Sequence, residues 1–205
     1  MILKPIDDLL IDMLEYPALV GAIAHYPFPA PPGGNPRQEW LRLARQFIQK
    51  PVEFAYRYSL VEGQSDDYTY CPFYINFGFV LMTPRIMEAV RDAHRELRPM
   101  LAQALTEPFF AAQASLALSV AACDIPCRAV GLRYNFPNDR RADELQLNEL
   151  SDVRLIHYLR TEHFDRQKIF TSPLEFDRFL SLDLTGSNKI LQDHVRKLTG
   201  GAYPF

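Results

Sequence analysis

Cysteine is scarce in this chain and poorly placed for a structural role. Cys71, Cys123 and Cys127 make an odd count, and no two stand in a C-x-x-C pair. That argues against a disulfide framework or a zinc knuckle and for a reducing, cytoplasmic setting. Glycine is scarce too, nine residues against sixteen prolines. Neither G-x-G-x-x-G nor a P-loop occurs, so the glycine-rich phosphate turn of a doubly wound nucleotide-binding domain is missing. No apolar run nears the roughly 20 residues of a membrane span. The opening MILKPIDDLL puts a lysine and two carboxylates where a signal peptide needs a longer apolar core. Charge of one sign is not in excess either. Lys and Arg total 22 against 25 Asp and Glu, a net of −3 spread along the chain. Nothing reads as a basic stripe, which argues against nucleic acid or an acidic membrane surface as main partner.

What is present is a core. With 48% hydrophobic and 12% aromatic residues over 205 positions, the chain is expected to fold as a single domain, 1–205. Helical spacing covers Ile6 to Leu14, with Asp7 and Asp8 at the dipole-favoured start. Ala18 to His25 reads as a short buried strand, followed by a rigid proline loop from Pro27 to Pro36. A helix is expected over Gln38 to Gln49. Val52 to Leu60 alternates as a strand with Phe54, Tyr56 and Tyr58 on one face.

The central strand is Phe73 to Met82, where Asn76 and Gly78 interrupt an aromatic and β-branched run. A glycine there marks either a close approach by another group or simple packing. Thr83 and Pro84 then read as N-cap and first position of a helix with a core stripe of Ile86, Val90, Leu97 and Leu101. Pro108 opens another helix to about Ala122. Strands are expected at Cys127 to Tyr134 and Val153 to Leu159, with a polar loop between them. Ser172, Pro173 and Glu175 form a capping box, and a last helix runs from Ser187 to Leu198. Strands alternating with helices predict an α/β fold with a mixed, mostly parallel sheet flanked by helices.

The order of these segments resembles the C-terminal portion of a GT-A glycosyltransferase of the family-8 type (glycogenin and galactosyltransferase-like proteins). The resemblance is carried by ILKPIDDLLIDML, by VGAIAHYP, by Asn76-Phe77-Gly78 in YINFGFVLM, by Ala112-Gln113 in AAQASLAL, by Tyr134-Asn135 in LRYNFPND and by His157 in RLIHYLR. It covers nearly the whole chain. It implies a partial GT-A fold and relatives that transfer a sugar from a nucleotide-sugar donor to an acceptor hydroxyl with Mn²⁺ or Mg²⁺. By the same resemblance, Asn76, Gly78, Gln113, Asn135 and His25 would line the donor or acceptor side and His157 would be a metal ligand; no catalytic residue is assigned.

The sequence departs from that family in three ways. The D-x-D strand that holds metal and diphosphate is not in the sequence. Phe77 stands where a small residue is usual, and Ala112 replaces the acid of an Asp-Gln pair. The expectation is therefore a truncated form, weakly active or inactive alone. The alternative is a non-catalytic binding or interaction module that pairs with itself through an exposed sheet edge. An unrelated α/β enzyme finds no nucleophile elbow or paired catalytic residues here.

Overall fold

The computed structural model describes residues 1–28 and 34–204; the middle of the expected proline loop, 29–33, lies outside them. The fold is mixed α/β, and the chain divides into two compact units, Asp7–Val130 and a second made of Met1–Ile6 with Gly131–Phe205.

The first unit starts with helix α1 (Asp7–Glu15) and strand β1 (Leu19–Ile23), whose five residues are all buried. Helix α2 (Pro36–Phe47) follows, its first turn capped by the Asn35 side chain, which accepts from the Gln38 N–H. Strand β2 (Tyr56–Arg57), the single-turn helix α3 (Asp66–Thr69) and strand β3 (Tyr70–Cys71) lead into β4 (Ile75–Leu81). The long helix α4 (Pro84–Ala104), a 3₁₀ turn at Pro108–Phe110, helix α5 (Ala111–Ala122) and strand β5 (Cys127–Val130) complete the unit. Thr83 caps α4 as its sequence predicts, accepting from the Ile86 N–H.

The main sheet has the order β4-β1-β5. β1 runs antiparallel to β4 and parallel to β5, the latter in unbroken register from Leu19↔Cys127 to Ala22↔Val130. β2 and β3 form a short antiparallel pair. Among the described residues two strand pairs are parallel and two antiparallel, beside one isolated antiparallel bridge, Ile2↔Leu155, so the sheets are mixed without the parallel majority that the sequence predicted. The expected strand from Val52 to Leu60 keeps only β2 as regular ladder. Its later amides bond elsewhere: Ser59 N–H to the Ala24 carbonyl and Leu60 N–H to the His25 carbonyl, each at 3.1 Å.

In this unit the backbone at Gly21 is closely approached by the neighbouring strand. A Cβ on Gly21 would stand 2.7 Å from Ile75 Cδ1 and 3.1 Å from Ile75 Cβ, so the two strands pack with no room for a side chain between them.

The core of this unit is organised around the Tyr58 hydroxyl. It donates to the Phe28 carbonyl at 2.9 Å and accepts from the Phe28 N–H at 3.2 Å and Trp40 Nε1–H at 3.4 Å. Tyr74 stacks on Phe28 with ring centroids 5.4 Å apart and meets Trp40 edge-on at 5.3 Å. Burial raises the Tyr58 pKa above its ordinary value, so the hydroxyl keeps its proton and its donor role.

In the second unit, strands β6 (Phe136–Pro137) and β7 (Ile156–His157) pair in parallel. The segment between them, expected as a polar loop, contains two short helices, α6 (Arg140–Leu145) and α7 (Leu147–Ser151). Asp139 caps α6 by accepting from the Arg141 N–H, and Arg140 pairs with Glu144 one turn on. Helix α8 (Pro173–Ser181) has the predicted cap, Ser172 accepting from the Glu175 N–H. Helix α9 (Gly186–Thr199) ends on Gly200 in the left-handed region. Gly186 also has a positive φ, +55°, and the Asp143 carboxylate lies where its Cβ would be, accepting the Ser187 N–H at 3.1 Å. Gln192, almost fully buried, joins α9 to α8 by donating to the Phe179 and Leu182 carbonyls, both at 2.8 Å.

Replacing Tyr58 by Phe leaves three buried polar groups without their shared partner. The expected loss is about 2 kcal/mol of unfolding free energy. It is read as a lower urea midpoint at unchanged slope, followed by fluorescence of Trp40, the single tryptophan; an unchanged midpoint contradicts this role.

Candidate functional site

Between the pairs Gly21↔Val80 and Ile23↔Ile75, β1 contributes only Ala22 while β4 contributes 76–79. The surplus residues form a bulge. Asn76 holds it closed, its Oδ1 accepting the Gly78 N–H at 2.9 Å, the local bond that an Asn side chain makes two residues on. Phe79 stays in the core, whereas Phe77 is 40% exposed.

Phe77 forms part of the wall of a cavity of about 760 Å³, with Val80 from the same strand, Met82 just past its end and Leu116 from α5. Its other side is α4, through Met87, Val90 and Ala102 and, along the rim, Arg91, His94, Arg95 and Arg98. Those four basic residues stand at i, i+3, i+4 and i+7, one face of a helix. Ile86, Val90, Leu97 and Leu101 turn into the core. The acids of α4, Glu88, Asp92 and Glu96, recur every four residues along another face. No carboxylate is among the described residues lining the cavity.

The rim cations differ in how they are satisfied. Asp92 accepts from Arg91 Nε at 3.1 Å and from Arg95 at 3.3 Å. His94 Nε2 lies 3.1 Å from the Ala112 carbonyl. A carbonyl only accepts, so Nε2 carries a proton. Arg98 has no ion-pair partner among the described residues. Pro99, also at the wall, has no N–H, so the Arg95 carbonyl loses its helical donor one turn back.

Of the residues singled out from sequence, three meet. His25 is buried, with Nδ1 2.8 Å from Ser59 Oγ and Nε2 3.5 Å from Asn76 Nδ2. Asn76 Oδ1 accepts from Gly78, so its NH₂ is the group turned toward the ring. His25 and Ser59 form a side-chain pair on the other side of the ring. Gln113 is half-buried on α5 and is not among the cavity-lining residues.

Asn135 and His157 belong to the other unit. Asn135 is fully buried, and neither amide atom has a partner among the described residues. Its neighbour Asn138 is the opposite case: it donates to Asn188 Oδ1 and the Arg160 carbonyl and accepts the Arg160 N–H. His157 Nδ1 is buried without a partner, and burial, then the nearby Met1 ammonium and Arg166, hold its pKa down at about 4. Among the described residues no three His, Cys, Asp or Glu side chains gather as metal ligands. A hard divalent ion takes oxygen ligands, and the residues around His157 do not fit one.

Comparison with protein-family models, with curated proteins and with solved structures returns no match. No helix among the described residues is long and apolar enough to cross a membrane. The cavity was not read from the sequence, although one signal for it stood there. Arg91, His94, Arg95 and Arg98 have helical spacing beside the core stripe, a basic face that whole-chain charge conceals.

His157 gives a signed pH dependence. Its folded pKa of about 4 lies below the ordinary value of about 6.5, so between those values the unfolded chain binds the extra proton. Its contribution is full above pH 6.5 and is lost as pH falls toward 4. After allowance for solvent screening, His157→Gln should recover roughly 1–2 kcal/mol of the acid loss. Parallel pH–stability curves for the two proteins would contradict that assignment.

Proposed function

We propose that this chain is a non-catalytic binding module whose Asp7–Val130 unit takes a small apolar molecule in the cavity beside α4. The observation that carries the reading is the cavity itself. At about 760 Å³ it has the size of a small-molecule site, and its wall is Phe77, Val80, Met82 and Leu116. Phe77 and Met87, 40% and 52% exposed, leave apolar surface in water that a ligand would cover.

A neutral solvatochromic dye such as Nile red tests this reading. The full chain should bind one equivalent with a fluorescence gain, and Met87→Trp, which fills the mouth from an exposed position, should weaken it roughly tenfold. Circular dichroism checks that the variant is folded. No saturable binding, or binding indifferent to Met87→Trp, would refute the reading.

A second reading keeps the transferase resemblance, with the mixed α/β architecture as part of a GT-A fold and little activity from this chain alone. The observation favouring it is that His25 and Asn76, and Gly78 through Asn76, come together. Titration of the purified chain with nucleotide sugars in the presence of Mn²⁺, followed by calorimetry, separates the two: saturable binding supports the transferase reading, and none is expected of a module built for an apolar ligand.

A further inference from the structure

Resting on the binding-module reading, we infer that the ligand is a single-chain amphiphile with a carboxylate head, its alkyl chain on the β4 wall and its head at Arg98. The argument is charge complementarity. Every ionisable side chain on the described rim of the cavity is basic: Arg91, His94, Arg95 and Arg98. The acids of the same helix lie along another of its faces. A purely apolar ligand would gain nothing from four basic side chains at its mouth.

Arg98 is the head-group residue for a specific reason. Arg91 and Arg95 share the Asp92 carboxylate, and His94 spends Nε2 on the Ala112 carbonyl. The Arg98 guanidinium keeps its planar fork of donors, which matches a carboxylate through two parallel hydrogen bonds. The wall supplies the other half of the amphiphile, since Phe77, Val80, Met82 and Leu116 present no charged group.

A polypeptide strand is a poorer occupant. β4 is an outer strand of its sheet, but its bulge at 76–79 breaks the ladder that an added strand would need. A bilayer surface has the same head-and-tail chemistry and is distinguished below.

Dodecanoate and dodecanol, each below the concentration at which it aggregates, are titrated against the dye-loaded full chain. Dodecanoate should displace the dye about tenfold more effectively than dodecanol. Arg98→Gln should bring that preference within about twofold, while Arg85→Gln, on the same helix but away from the cavity, should keep it. Equal displacement by acid and alcohol, or a preference that survives Arg98→Gln, overturns the carboxylate inference while saturable dye binding leaves the cavity reading standing. Absence of dye binding overturns both. Co-sedimentation with phosphatidylglycerol vesicles, without displacement by free dodecanoate, also overturns the inference in favour of a membrane surface.

Discussion

Where β1 and β4 run side by side, the four residues 76–79 of β4 answer the single residue Ala22 of β1. The Asn76 amide, closed onto the Gly78 N–H, holds the surplus in place. The arrangement of this unit follows from that mismatch. On one side of it Ile75 packs against Gly21 with no space for a Cβ. Within it Phe77 is left partly exposed while Phe79 is buried. Beyond it Val80 and Met82 contribute to the cavity wall opposite α4. Without the surplus the strand would alternate regularly, and Phe77 and Val80 would point to opposite faces of the sheet.

Helix α4 supplies the other half of the cavity by keeping separate faces for separate tasks. Its aliphatic stripe joins the core, its basic stripe borders the cavity, and its acids follow a third line. The pairing of Asp92 with Arg91 and Arg95 links exposed side chains in water, so it contributes little to stability. Its consequence is selectivity among the cations: two guanidinium groups share a carboxylate, and Arg98 has none among the described residues. The core beneath carries the stability, through buried aromatics whose polar atoms converge on the Tyr58 hydroxyl.

Local chemistry was legible in the sequence wherever one side chain settles one backbone bond. Thr83-Pro84 starts α4, Ser172 caps α8, and both follow from capping geometry alone. The expected strands at 52–60 and 153–159 shrank to two-residue ladders, because alternation reports a buried face and not which backbone will answer it. Tyr58 N–H bonds to the Thr69 carbonyl and Ser59 N–H to that of Ala24, partners that no local pattern names. Helices α6 and α7 were hidden in a polar stretch whose burial is too slight to leave a period. His25 and Asn76 were singled out as separate ligand contacts and prove to be neighbours, the asparagine spent on a bulge. The cavity needed three elements brought together, so the sequence could show only one of its sides.

The most direct test of the account uses the five methionines as reporters. Methyl-labelled Met gives one carbon–proton signal per residue, and dodecanoate can be added stepwise to the full chain. Met82 and Met87 line the cavity, Met100 is exposed on the same helix outside it, and Met13 is buried near β1. The account predicts saturable shifts at Met82 and Met87, with Met13 and Met100 unmoved. Shifts absent from Met82 and Met87, or shared equally by Met100, would contradict it.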